Sequence, residues 1–294
     1  MTYSAKMEVV RHLYPDFRIN DIEPYTHGQN NDVFIVNQSV VFRFPKYMDG
    51  IKQLKAETEL LEAVEPYITL PIPNPIYQSF EENEVGKAFM GYHCIPGSPL
   101  WKEDLLGIEN DEILSGIASQ LVTFLQELHS IPQKAIPSFY KQNQTSIRPY
   151  FEGLYQNIKL KLYPWMKTEA RQSVSSQFER FLGGTAILHA EPTLIHGDFG
   201  TSNILWDKDA GRITGILDFG GSEISDPAYD FAGLLSGYGE AFLRRCLEMY
   251  QAGNGGDMLE RIYFYKSTFA LMEALHGLEH NDKQAFEDGI RAYR

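Results

Sequence analysis

Short apolar runs dominate the first third of the chain, and apolar residues at three- and four-residue intervals dominate the rest. Val33 to Val36 and Val40 to Phe44, separated by Asn37 to Ser39, are β-branched and aromatic and predict a β-hairpin. Ile76 to Ser79 and Lys87 to Ile95 predict two further strands of a small antiparallel sheet. Ahead of the hairpin, Val9 to Leu13 has helical spacing, and Ile22 to Pro24 starts a strand that enters a turn over Thr26 to Asp32. A helix starting near Ile51 carries Leu54, Leu60, Leu61 and Val64 on one side, with Glu57 beside that stripe. Pro66 and the cluster Pro71, Pro73 and Pro75 end it and force an extended connection.

Pro96-Gly97 marks a boundary, after which the periodicity is helical. Ile113, Ile117, Leu121, Phe124, Leu125 and Leu128 predict an amphipathic core helix over Asp111 to His129, with Asp111 near its N-terminus. Further helices are expected over 150–163, 174–188, 240–250, 259–278 and 283–293. Asp226-Pro227 marks another helix start, with proline in the first turn and Asp230 in a structural role. Two short apolar runs, Thr193 to Ile195 and Ile213 to Leu217, interrupt this region. They predict strand ends or tight loops that present polar groups at the floor of a cleft. No internal repeat and no low-complexity tail is visible.

Composition agrees with such a chain. With 294 residues, 43% hydrophobic and 22% charged, it can bury a sizeable core and reaches the length at which two lobes are expected. A net charge of −13 argues against nucleic acid or an anionic membrane as partner and would attract a cation. From His196 to Asp230 there are seven acids and two bases, although solubilising surface charge explains an acidic balance equally well. Cys94 and Cys246 offer neither metal spacing nor a disulfide framework, as suits packing residues in a reducing cytosol. Charges run through Met1 to Tyr14, and no apolar run approaches membrane-spanning length, so a soluble cytoplasmic protein is expected.

The chemistry lies between Leu194 and Gly220. His196-Gly197-Asp198 is followed by Asn203 five residues after the aspartate, and Asp218-Phe219-Gly220 comes later. This order and spacing match a phosphoryl-transfer loop in which one aspartate accepts a hydroxyl proton while an asparagine and a second aspartate hold Mg²⁺. Asp198 is therefore the expected base, and Asn203 and Asp218 the expected metal ligands. A transferring phosphoryl group spreads negative charge over its oxygens, so positioned cations and hard oxygen ligands are the parts such a site needs.

With these motifs the chain resembles antibiotic kinases of the aminoglycoside phosphotransferase superfamily, whose fold is similar to that of protein kinases. Leu13 to Phe17, Val40 to Lys46 and Ile216 to Pro227 resemble the aminoglycoside 2''-phosphotransferase branch in particular. The resemblance implies an α+β, two-lobed protein-kinase-like fold. Its smaller lobe, residues 1–95, would be an antiparallel sheet with one main helix that binds nucleotide; its larger, mostly helical lobe, residues 96–294, would hold the catalytic loop and substrate pocket. It further implies Mg²⁺, ATP or GTP as donor, a small cationic antibiotic with a free hydroxyl as acceptor, and a monomer.

By the same resemblance the turn at Gly28 covers the phosphates, although one glycine is no G-x-G-x-x-G. The backbone of Tyr92, His93, Cys94 and Ile95 would meet the base. Arg43 stands where kinases place a lysine and would pair with Glu57, chosen over Glu59; Lys46 follows a proline beyond the strand. Glu223, Glu240, Glu273 and Glu279 are candidate ammonium contacts. The stretch from Phe231 to Glu240 is poor in acids, however, and resembles macrolide 2'-phosphotransferases, for which Tyr229, Tyr265 and Phe269 would form aromatic walls.

Other readings remain open at this stage. Arg43 admits a nucleotide-binding module without transferase activity, against which the intact Asp198, Asn203 and Asp218 speak. A metabolic small-molecule kinase of the same fold is a further alternative. His276, Glu279 and His280 fit the reversed zinc-protease pattern H-x-x-E-H, but Gly277 weakens the helix and no second motif supports it. Asp198→Asn is expected to lose turnover by a factor on the order of 100 or more while nucleotide binding is retained, since the base acts on the hydroxyl. Equal loss in both, read by single-turnover kinetics and nucleotide titration, would make Asp198 structural.

Overall fold

The computed structural model describes residues 2–25, 30–144, 146–250 and 257–294, apart from the side chains of Leu188 and His189. The turn carrying Gly28 lies outside the described residues. Helix α1 (Tyr3–Leu13) leads into a five-stranded antiparallel sheet built from β1 (Ile22–Tyr25), β2 (Asn31–Val36), β3 (Val40–Pro45), β4 (Tyr77–Ser79) and β5 (Phe89–His93), in the order β1-β2-β3-β5-β4. The hairpin between β2 and β3 turns through Asn37 and Gln38, both at positive φ. Asn37 is suited to that geometry because its Oδ1 accepts from the Asn20 and Asp21 amides and its Nδ2 donates to the Arg18 carbonyl.

Strand alternation sorts the sheet's two faces. Val40, Phe42 and Phe44 of β3 join Phe34, Val36 and Phe89 beneath Met7 and Val10 of α1 in one apolar cluster. Val41 and Arg43 point the other way, toward helix α2 (Met48–Val64), which spans the sheet's second face. Ile51, Leu54, Leu61 and Val64 of α2 are buried at helical spacing, and Glu57 is buried within the same stripe rather than beside it.

Past β5 the chain crosses through β6 (Ser98–Pro99) and the short helix α3 (Lys102–Leu106) into α4 (Asp111–His129). The cap of α4 is Asn110, whose Oδ1 accepts from the Glu112 and Ile113 amides, and not Asp111, which pairs with Arg245 at 2.5 Å. Helices α5 (Ser138–Gln142), α6 (Ile147–Asn157) and α7 (Thr168–Gly183) follow. The expected helix over 174–188 is thus displaced toward the N-terminus, and it ends at the glycine pair Gly183 and Gly184. Strands β7 (Thr193–Ile195), β8 (Ile204–Asp207), β9 (Arg212–Ile216) and β10 (Glu223–Ser225) form two small sheets, β10-β7 and β6-β8-β9. The chain closes with α8 (Ala228–Tyr238), α9 (Glu240–Met249), α10 (Met258–His280) and α11 (Lys283–Ile290). An antiparallel-sheet N-terminal region followed by a helical C-terminal part, with the hairpin β8–β9 between the helices, is the arrangement of a kinase-like fold.

Asp226 ties the start of α8 to α10. Its Oδ1 accepts from the Ala228 amide at 3.0 Å, and its Oδ2 accepts from Arg261 Nε at 2.6 Å and from the Tyr265 hydroxyl at 2.7 Å. Asp226 and Arg261 are both buried, so removing one partner leaves an uncompensated charge in the interior. Arg261→Met, similar in length but neutral, is expected to cost about 3–5 kcal/mol of stability by denaturant unfolding. A loss below about 1 kcal/mol would place that pair outside the structure's stabilising contacts.

Candidate active site

Asn203 immediately precedes β8, and Asp218 lies two residues beyond the end of β9; Ile204 and Ile216 are cross-strand partners, and the Leu217 amide donates to the Asn203 carbonyl at 2.8 Å. One hairpin therefore brings both residues to the same end of its ladder. The Asn203 amide nitrogen donates to the Asp198 carbonyl and to Asp198 Oδ2, each at 2.9 Å. That commitment fixes the amide's orientation and turns its oxygen away from Asp198. Asp218 is held at φ 61°, in the left-handed region, with its side chain half exposed. An amide oxygen and a half-exposed carboxylate form a sparse, hard donor set, suited to an ion that keeps water and phosphate oxygens among its ligands.

Arg43 meets these groups from the sheet. Its Nη1 lies 2.5 Å from Glu57 Oε1 and its Nη2 3.5 Å from Asp218 Oδ1, so one planar fork joins β3, α2 and the residue that follows β9. Burial disfavours the charge on Arg43, but Glu57 and Asp218 outweigh it and hold the guanidinium above its ordinary range. For Glu57, burial prevails over Arg43 and raises its proton affinity. At 2.5 Å the guanidinium and the carboxylate form an ion pair, each stabilising the other's charge.

The catalytic-loop candidate rests on a second set of contacts. Asp230 on α8 accepts from the His196 amide through Oδ2 and from the Gly197 amide through Oδ1, both at 2.9 Å. The His196 ring bonds the Leu217 carbonyl through Nε2 at 2.9 Å and takes the Asp198 amide at Nδ1, 3.3 Å, which assigns the neutral Nε2–H tautomer. Phe199 stacks on Phe124 at 5.5 Å, while His196 packs on Phe219 at 4.9 Å. Gly197 has φ +77°, and a Cβ there would lie 2.0 Å from the Gly221 carbonyl oxygen. The loop also rests on α8, where a Cβ on Gly233 would meet the Phe199 carbonyl oxygen at 2.4 Å.

Beyond Asp198 opens a cavity of about 300 Å³, walled by Tyr229, Gly233, Ser236, Phe269 and Met272. Tyr229 and Phe269 are thus placed as the sequence suggested, whereas Tyr265 is buried and bonded to Asp226 and is no cavity wall. Of the four candidate acids, Glu240 pairs with Arg244 at 2.5 Å and Glu279 with Lys161 at 2.6 Å, so both already have cations. Glu273 is exposed on α10, one turn beyond Phe269. Glu223 pairs in register with Ile195, beside His196; it is exposed as a residue, yet burial of its carboxyl raises its proton affinity. His276 and His280 stack at 4.2 Å on the exposed side of α10, and no group of three or more His, Cys, Asp or Glu able to hold a metal occurs among the described residues. The reversed zinc-protease pattern is therefore not assembled as a metal centre there.

The fold and this convergence define a kinase-like phosphotransferase. The family described as "APH: Phosphotransferase enzyme family" matches residues 21–265, and the chain belongs to it. The chain is 26% identical over 272 residues to viomycin phosphotransferase of Streptomyces vinaceus, covering 91% of each. The GDP and kanamycin complex of APH(2")-IIia superposes with a TM-score of 0.89 at 25% identity, over 98% of this chain and 96% of that one. Macrolide 2'-phosphotransferase type I superposes with a TM-score of 0.77 at 16% identity, over 100% and 98%.

Sequence reasoning did not anticipate the contacts made by Asp230 or the seat provided by Gly233. An acid four residues after Asp226 in an otherwise apolar helix start, and the spacing Gly233-x-x-x-Gly237, are the signals that could have found them. Gly197→Ala is expected to lower phosphoryl transfer by a factor on the order of 100, because separating two backbones by about 1 Å displaces Asp198. Circular dichroism should show the fold retained; turnover within threefold of the parent would contradict the close approach.

Proposed function

We propose that the protein is a Mg²⁺-dependent kinase that transfers the γ-phosphoryl group of ATP or GTP to a hydroxyl of an aminoglycoside antibiotic, acting as a cytoplasmic monomer with a nucleotide-binding lobe over residues 1–95. The observation that carries this is the convergence of Asp198, Asn203 and Asp218 on one loop and hairpin, with Arg43 and Glu57 closing over them. Asp198 takes the acceptor's hydroxyl proton; the hydroxyl oxygen forms the new bond to phosphorus as the bond to the nucleoside diphosphate breaks. Asn203 and Asp218 would hold Mg²⁺, which when bound neutralises charge on the phosphate oxygens. Arg43, oriented by Glu57, donates to the phosphates from the sheet side.

On this reading the nucleotide's base meets the connection after β5. The Cys94 amide donates to the Ser39 carbonyl at 2.8 Å, so by strand alternation the His93 carbonyl and the Ile95 amide point to the opposite edge, past the start of β4 at Tyr77. An acceptor and a donor side by side suit a purine's edge. Tyr92 is buried and serves the core on this reading.

Support for an antibiotic acceptor comes from relatives that act on or bind antibiotics, viomycin and kanamycin among them. Glu223 and Glu273 are the acids left to meet an ammonium group, since Glu240 and Glu279 hold Arg244 and Lys161. The wall of Tyr229, Phe269 and Met272 favours a second reading, a larger and less polar acceptor such as a macrolide.

A coupled assay of nucleoside diphosphate release separates these. With Mg²⁺ and ATP or GTP in parallel, aminoglycosides are expected to give release well above an Asp198→Asn blank. Release with a macrolide or a metabolic alcohol in their place would replace the acceptor, and silence across the panel with nucleotide still bound would favour a non-catalytic module.

A further inference from the structure

The carboxylate that holds the catalytic loop is itself held by a chain of two buried side chains. Asp230 accepts three donors: the His196 amide, the Gly197 amide and His129 Nε2, the last at 3.0 Å. Three N–H donors converging on its two oxygens mark it as a carboxylate. A carboxylate can only accept, so His129 must present its hydrogen at Nε2. The ring's other nitrogen, Nδ1, lies 2.8 Å from the Tyr250 hydroxyl. Tyr250 follows the last residue of α9, His129 ends α4, and Asp230 opens α8, so the three helices meet at these residues. All three side chains are buried.

We propose that Tyr250 is a positioning residue for phosphoryl transfer, acting through His129 and Asp230 on the backbone of the catalytic loop. Its O–H donates to His129 Nδ1 and so keeps the hydrogen on Nε2, facing Asp230 Oδ2. With the other tautomer a ring lone pair would face the same oxygen that receives the His196 amide, and Oδ2 would draw away from the loop. The catalytic base at Asp198 is two residues from that amide. Tyr250 also packs on Phe231 at 4.7 Å and on the His129 ring at 5.9 Å, so a phenylalanine in its place keeps the packing and loses the hydroxyl alone.

The inference concerns phosphoryl transfer and rests on the function proposed above only for the acceptor used in the assay, kanamycin. Tyr250→Phe is expected to lower kcat about three- to tenfold, the worth of one buried hydrogen bond, with KM for nucleotide and kanamycin within about twofold of the parent. The amide protons of His196 and Gly197 should shift in the NMR spectrum, a readout that needs no acceptor. In a His129→Gln background, where the glutamine's side-chain amide can donate to Asp230 without help, the same change should leave kcat and both amides unaltered. Unchanged kcat and amide shifts in Tyr250→Phe, or an equal effect of the change in both backgrounds, would overturn the inference. A parent protein silent with kanamycin would count against that acceptor alone, and the amide shifts would then decide the role of Tyr250.

Discussion

The site depends on two backbone segments passing at contact distance. Gly197, one residue before Asp198, leaves no room for a side chain against the Gly221 carbonyl, three residues past Asp218. Because the loop at residues 196–198 and the segment after β9 touch there, Asp198 and Asp218 are presented together, and Asn203 spans the gap by donating to Asp198 from the start of the hairpin that leads to Asp218. Two polar anchors hold the approach: Asp230 grips the loop's amides from α8, and the His196 ring reaches across to the Leu217 carbonyl. Aromatic packing of Phe124, Phe199 and Phe219 fills the space beneath them.

Electrostatics then divides the site by sign. Acidic groups cluster on the C-terminal side, and a partly buried cation, Arg43, comes from the sheet and contacts Glu57 and Asp218 together. Strand alternation explains how it arrives: residues 40, 42 and 44 are committed to the cluster under α1, which turns residue 43 toward α2. The same alternation past β5 aims backbone groups of residues 93 and 95 away from β3. The structure thus assembles its charged groups with the pleat of one sheet and the ends of one hairpin.

How much of this was legible in the chain follows from sequence distance. Asp198, Asn203 and Asp218 lie within about twenty residues, and their spacing reflects a local loop and hairpin, so the pattern could be read directly. Glu57 was chosen over Glu59 through the resemblance of its helix and was read as lying beside the apolar stripe, and only the structure shows it buried within that stripe. The β2–β3 hairpin, α4 and the boundary after β5 followed from periodicity and turn residues, and helix ends drifted where glycines rather than prolines stop them, as at Gly183. What could not be read is long-range pairing. Lys161 pairs with Glu279, Tyr265 turns inward to Asp226, and Tyr250 reaches His129 across 121 positions, none of which leaves a local pattern, whereas the pair Glu240–Arg244 is one helical turn apart and was legible. The cap of α4 is Asn110, one residue before the Asp111 that the sequence set near the helix start, and Asp111 pairs with Arg245 instead.

The central claim is that Asp198 delivers a small-molecule hydroxyl to the terminal phosphorus of a nucleotide held beside it. The most direct measurement is the ³¹P NMR spectrum of the protein incubated with Mg²⁺, nucleoside triphosphate and kanamycin. The account predicts a new phosphomonoester resonance, coupled to a proton on the carbon that bore the acceptor hydroxyl, growing in step with the nucleoside diphosphate signals. Diphosphate appearing with inorganic phosphate alone, or a phosphomonoester formed equally fast by Asp198→Asn, would contradict it.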